Sequence, residues 1–217
     1  MFKKLLVSLG IISILASAVY AEKSTKDLYS DHGFRYDQAK VKMLTPEEFF
    51  IMPWGWTPGN AQALKDIKDC GFNVAGFVAP EHVKMVRKAG LKCIVDDPVV
   101  STVISDTNMS DAEIAKRVSA MTSRFKNDPA IYGYYVMDEP SPGLFANLKR
   151  WADAIRKASP SSTPYINMLP GWGPEHETNY LEKFVTTAHP SYISYDNYSL
   201  LDDGTTGQGF FMNLEVV

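Results

Sequence analysis

Cysteine is nearly absent from the 217 residues: only Cys70 and Cys93 occur, with no Cys-x-x-Cys pair and no cysteine–histidine cluster. That excludes a disulfide framework, a zinc site built on paired cysteines and a thioredoxin-type motif, leaving one bridge at most. Histidine is as scarce. His32, His82, His176 and His189 are the four present, and no two are spaced as paired ligands. A metal is therefore conceivable only through carboxylates; no metal and no cofactor is expected. There is no surplus of positive charge either, since 22 Lys and Arg face 25 Asp and Glu. Nucleic acid is accordingly not an expected partner. The chain also lacks a Gly-x-Ser-x-Gly elbow and a nucleotide loop, and its stretch Trp54-Gly55-Trp56-Thr57-Pro58-Gly59 has the wrong pattern to cradle phosphates. Esterase, kinase and dinucleotide chemistries are all disfavoured by these gaps.

A hydrophobic run long enough to span a bilayer, about 20 residues, is missing as well. The N-terminal run, Leu5 to Leu15, follows Lys3 and Lys4 and precedes Ala16, Ser17, Ala18 and then Val19, Tyr20, Ala21. A positive n-region, a short apolar core and small residues at the end are the layout of a secretory signal peptide. Cleavage after Ala18 or after Ala21 fits equally, and no cysteine follows to carry a lipid. The expected destination is the periplasm or the exterior, with no stable membrane insertion. With residues 1–21 removed, 196 remain, and the loss of Lys3 and Lys4 leaves 20 bases against 25 acids, a net charge near −5. That length is one domain of ordinary size. Hydrophobic residues at 45% and aromatics at 12% supply its core.

Residues 22–46 are polar, charged and without a period, and read as a lead-in ending at Thr45 and Pro46. From residue 47 onward a rhythm sets in. Strand-length apolar runs occur at Phe49–Trp56, Phe72–Val78, Leu91–Val95, Ile131–Met137, Tyr165–Leu169 and Tyr192–Tyr195. Helical spacing fills the intervals. Ala63, Leu64 and Ile67 lie between a capping Asn60 and Gly71; Val83, Val86 and Ala89 end at Gly90. Ser110 and Glu113 have capping-box spacing ahead of Ile114, Val118, Met121 and Phe125. Ser141 and Pro142 read as N-cap and first-turn proline before Leu144, Leu148, Trp151 and Ile155. Tyr180, Leu181, Phe184 and Val185 give a further amphipathic helix, and Gly209 to Val217 the opening of another.

Strand followed by helix, five times with a sixth strand at the end, predicts a parallel sheet, because parallel neighbours need a crossover. Strand ends rich in Trp, Asp, Glu, Asn and Tyr favour a (β/α)₈ barrel, incomplete at about six strands, over an open doubly wound sheet.

The fourth run ends Tyr134-Tyr135-Val136-Met137-Asp138-Glu139-Pro140. This segment resembles the retaining glycoside hydrolases of the TIM-barrel clan that includes β-galactosidases and cellulases, in which Asn-Glu-Pro closes the fourth strand. The likeness implies a general acid/base role for Glu139. The clan's asparagine, which binds the sugar 2-hydroxyl, is here Asp138, a group that accepts from a hydroxyl but donates only when protonated. It also implies a nucleophilic glutamate at the end of a seventh strand, which would lie beyond Val217, so that the chain is expected to be a fragment, inactive alone. Glu215, in the helix opening at Gly209, is not assigned that role.

The chemistry gives a reason for a glutamate at this place. Glycoside hydrolysis needs one carboxyl to protonate the departing oxygen and another to attack or to activate water. Asp138 and aromatic walls formed by Trp54, Trp56 and Tyr198 would keep such an acid protonated. An alternative is that Asp138 caps the next helix and Glu139 favours its positive end. Expected substrate contacts are Trp54, Trp56, Asp138, Asn167, Asp196 and Tyr198, with Asn197 beside them and Asp96-Asp97-Pro98 serving equally as a turn. The expected partner is an oligo- or polysaccharide. Two functions stay open: a glycoside hydrolase, or a non-catalytic carbohydrate-binding or degenerate barrel. The sugar, the linkage, and retention against inversion are not legible.

Overall fold

The computed structural model describes residues 49–170, 177–198 and 200–205. The signal segment 1–21, the lead-in 22–46, His176 and the helix expected from Gly209 lie outside the described residues.

Five strands form one sheet, in which β1 (Val74–Val78), β2 (Lys92–Val95), β3 (Ile131–Asp138), β4 (Thr163–Met168) and β5 (Ser194–Tyr195) lie side by side in chain order. Every pairing is parallel. The helices are α1 (Ala61–Asp69), α2 (Val83–Ala89), α3 (Pro98–Ser101), α4 (Asp111–Thr122), α5 (Phe145–Ala158) and α6 (Lys183–Ala188). Parallel order without a reversal, each step carried by a helical crossover, is the incomplete wall of a (β/α) barrel.

The caps read from the sequence place the helices. The Asn60 side chain accepts from Ala63 N at 2.8 Å to start α1. Gly90, at φ 70, closes α2 in the left-handed conformation, and Ser110 accepts from Glu113 N at 3.2 Å to start α4. The capping box is only half made, because Glu113 turns instead to Arg117 at 2.9 Å.

Three expectations are corrected. The run Phe49–Trp56 is not a sixth strand: it makes one isolated parallel bridge, Trp56 to Phe77. Pro53 has no N–H to give to a ladder, and Gly55 sits at φ 116. Irregular bonds still tie the segment along β1, from Val74 N to Ile51 O (3.2 Å) and Phe77 N to Gly55 O (3.1 Å). Gly76, at φ 86, is required there, since a Cβ would stand 2.9 Å from the carbonyl oxygens of Pro53 and Gly55. Ser141 makes no side-chain cap; a 3₁₀ turn, Pro142–Leu144, precedes α5 instead. Finally, α6 is preceded by a widened π-type turn, Glu177–Glu182, and Val185 on the predicted apolar stripe is exposed.

The sheet separates two apolar layers. Cys93, Val95, Tyr134, Val136 and Met168 pack with Leu148, Trp151, Ile155 and Phe184 of the helices. The alternate residues, Phe77, Ile94 and Tyr165, gather on the other, concave face with Met52, Tyr132, Tyr135 and Tyr192, as strand periodicity requires. Each fully buried side chain of the first layer contributes about 1.5–3 kcal/mol. The second layer is the floor beneath the strand ends.

Candidate active site

The floor is aromatic. Phe77 meets Tyr135 at 5.0 Å and Tyr165 at 5.6 Å, both edge-on. Trp54 leans edge-on against Phe77 at 5.0 Å and lies 6.1 Å from Tyr165, so the irregular segment beside β1 delivers an indole to this face. Trp54 keeps 49% of its surface exposed. Trp56 is 65% exposed, and its backbone bridges β1.

Three carboxylates stand at the carboxyl ends of β3 and β5. Asp138 is the last residue of β3, in register with Asn167 of β4, which in turn faces Ser194 of β5. Asp196 follows β5, its N–H donating to Met168 O at 3.2 Å. Asn167 is 1% exposed and joins them. Its Nδ2 donates to Asp138 Oδ1 at 3.0 Å and to Asp196 Oδ1 at 2.9 Å. Carboxylates only accept, so the amide nitrogen must face them and Oδ1 must face away. That oxygen accepts from the Ser194 hydroxyl at 2.8 Å, and Ser194 Oγ lies 2.8 Å from Tyr165 Oη. Because the one Ser194 hydrogen goes to Asn167, Tyr165 is the donor to Ser194.

Glu139 follows immediately. Its N–H donates to Asn167 O at 2.9 Å, and its backbone is left-handed at φ 42. That conformation is uncommon for a residue with a Cβ, and Pro140 restricts it further. Its side chain is exposed. Partial desolvation, a hydrogen bond with Asp196, and the charges of Asp138 and Asp196 push the Glu139 carboxyl above the ordinary glutamate range. No lysine or arginine pairs with Asp138, Glu139 or Asp196 among the described residues. Among those residues, nothing cationic opposes the rise. Tyr198, 75% exposed, stands against the same carboxylates, and the charge of Asp196 first, then desolvation and the charge of Glu139, raises its hydroxyl.

The structure thus brings Asp138, Glu139, Asn167, Asp196 and Tyr198 together, places Trp54 on the adjoining floor, and leaves Trp56 at the margin. Asp97 serves the fold, capping α3 through Val99 N at 3.1 Å and pairing with Arg124 at 2.7 Å. Asp96 is buried, at 7% exposure; burial pushes its carboxyl up, a Ser101 hydroxyl pulls it down and Asp97 adds to the rise. Sequence reasoning passed over Tyr165 and Ser194 as site residues. Their signal is the period of two, for Tyr165 and Asn167, and Ser194 and Asp196, stand two apart on neighbouring strands. Among the described residues, no cluster of His, Cys, Asp and Glu is arranged to hold a metal ion.

No protein-family profile matches the chain, and no curated protein matches it in sequence. Solved structures do. The β-mannanase of the blue mussel Mytilus edulis superposes with a TM-score of 0.51 at 10% identity, over 68% of this chain and 64% of that one. A plant β-glucan endohydrolase gives 0.48 at 13% identity, over 75% and 61%. An endoglucanase of Pseudomonas stutzeri gives 0.43 at 16%, over 70% and 56%. The likeness to the mussel enzyme shows the fold, a (β/α) barrel of which this chain forms part. The chain spans between 44% and 64% of the length of the first structures it matches.

Proposed function

We propose that the site hydrolyses glycosidic bonds, with Glu139 as the proton donor to the departing oxygen. The observation that carries this is the placement of Glu139. It follows the last residue of a barrel strand at the carboxyl face, partial desolvation and two neighbouring carboxylates raise its carboxyl, and an aromatic floor adjoins it. A general acid must be protonated near the working pH yet poised to give the proton up, and desolvation and like charges both act in that direction. A floor of rings with Trp54 at its edge suits the apolar faces of sugar rings. The β-mannanase that shares the fold is itself named for glycan hydrolysis.

A second reading, carbohydrate binding without turnover, has one observation in its favour. Glu139 and Asp196 are in hydrogen-bond contact, whereas retaining catalysis separates its two carboxyl groups by about 5–5.5 Å and inverting catalysis by about 6.5–9.5 Å. In the catalytic reading Asp196 is therefore a modulator of Glu139, not its nucleophile. Export, proposed from Lys3, Lys4 and the apolar run Leu5 to Leu15, would put the site in contact with external polysaccharide.

The experiment is to offer a panel of β-linked oligosaccharides to this chain and to a longer form that carries the seventh-strand glutamate the clan likeness implies, following both reducing-sugar release and binding by calorimetry. Release that disappears in Glu139→Gln supports hydrolysis. Binding that survives without release in the wild type supports the second reading, and neither binding nor release contradicts both.

A further inference from the structure

We propose that Asn167 is the positioning residue of this site: anchored through its oxygen to the Tyr165–Ser194 hydroxyl chain, its amide fixes the Asp138 and Asp196 carboxylates around Glu139. The inference rests on the reading of Glu139 as the proton donor and adds the device that governs it.

Four hydrogen bonds run in one direction. Tyr165 donates to Ser194 at 2.8 Å, Ser194 to Asn167 Oδ1 at 2.8 Å, and Asn167 Nδ2 to Asp138 at 3.0 Å and Asp196 at 2.9 Å. An amide nitrogen has two hydrogens, and here each carboxylate takes one. Rotating the amide by half a turn would set its oxygen against two anions, which excludes that orientation, and the Ser194 hydroxyl turns to give its hydrogen to the oxygen that faces it. The two carboxylates thus permit a single orientation. Donors arranged head to tail polarise one another, and the far end of this chain is a buried tyrosine of the aromatic floor. Asn167 also accepts the Glu139 N–H through its backbone oxygen at 2.9 Å, so one residue anchors all three acids.

The consequence is electrostatic. Donors aimed at a carboxylate favour its charged form. Asn167 Nδ2 gives one hydrogen to each aspartate and its side chain gives none to Glu139, whose carboxyl is raised by partial desolvation first and then by Asp196 and Asp138. The other groups facing Glu139 are Tyr180 of the turn before α6, whose hydroxyl is affected by its charge, and Tyr198, on which its charge also acts. Neither phenol is charged in the range where carboxyls titrate. Asn167 thus sets where the two aspartates stand relative to Glu139.

The test is a pH titration of side-chain carboxyl ¹³C shifts in the full chain, for wild type, Asn167→Ala and Ser194→Ala. Without the amide the two aspartates are no longer held beside Glu139, their charges act on it less, and its midpoint should fall toward the ordinary glutamate range. Ser194→Ala removes the donor that anchors Oδ1, loosens the amide without reversing it, and should shift the midpoint the same way by less. Should Asn167→Ala fail to fold, Ser194→Ala and Tyr165→Phe carry the measurement. A Glu139 midpoint unmoved or raised in every folded variant overturns the proposal. The titration needs no turnover, so it is independent of whether Glu139→Gln abolishes hydrolysis.

Discussion

Replacing Glu139 by glycine and by alanine separates what its side chain does from what its backbone costs. Both variants lose the carboxylate, so the repulsion from Asp138 and Asp196 disappears equally. They differ in conformation: residue 139 sits at φ 42, where a Cβ crowds the following carbonyl at a cost of about 1–2 kcal/mol. Glycine escapes that cost but has a freer unfolded chain, which gives back about 0.4–1 kcal/mol. The difference leaves Glu139→Gly more stable than Glu139→Ala by about 1 kcal/mol, or about 2–4 °C in Tm for a domain of this size. At an ordinary helical or extended position the order is reversed, with alanine ahead by about 0.5–1 kcal/mol. Thermal melts and urea titrations of the two variants, side by side in one buffer, read the sign directly. Alanine as stable as glycine, or more so, would mean that the left-handed turn is not strained and that Glu139 is not held there against a cost.

The pH dependence of stability has a definite direction. Because the folded-state pKa of Glu139 is raised, its contribution is fully present below the ordinary glutamate range and is lost as pH rises through the raised value. Glu139→Gln cannot titrate, so its stability relative to wild type should grow over that window in urea melts taken from about pH 4 to about pH 8; a constant gap would contradict the shift. The two cysteines are free, Cys70 exposed and Cys93 buried, and burial pushes the Cys93 thiol up to about 12. A thiol reagent should therefore label one cysteine quickly in the native protein and the second only after unfolding, whereas two fast labels, or none, would refute the burial or the absence of a bridge.

Much of the architecture was legible because it is written in local chemistry. Asn60, Gly90 and Ser110 mark helix ends by groups that satisfy or release the backbone, and the strand runs alternate between the two faces of the wall. The run Phe49–Trp56 misled because its apolar composition is that of a strand, while Pro53 and Gly55 deny it a ladder. Ser141 misled because Pro142 opened a 3₁₀ turn before the helix proper. The site divided in the same way. Glu139 was visible as an acid closing an apolar strand. The Tyr165–Ser194–Asn167 chain was not, since it depends on parallel register across β3, β4 and β5, and register is a tertiary property. Asp196 was visible as a strand-end acid, but its contact with Glu139 required the same alignment.

The leaving-group dependence of hydrolysis tests the role of Glu139 most directly. Wild type and Glu139→Gln, each in a longer form that carries the nucleophile the clan likeness implies, are compared on two glycosides of one sugar, one with a poor leaving group that must be protonated and one with a dinitrophenolate that need not be. A proton donor at Glu139 predicts a loss of about 10²- to 10⁴-fold in kcat/KM on the first and little loss on the second. Equal losses on both, or no loss on the poor leaving group, would contradict the assignment.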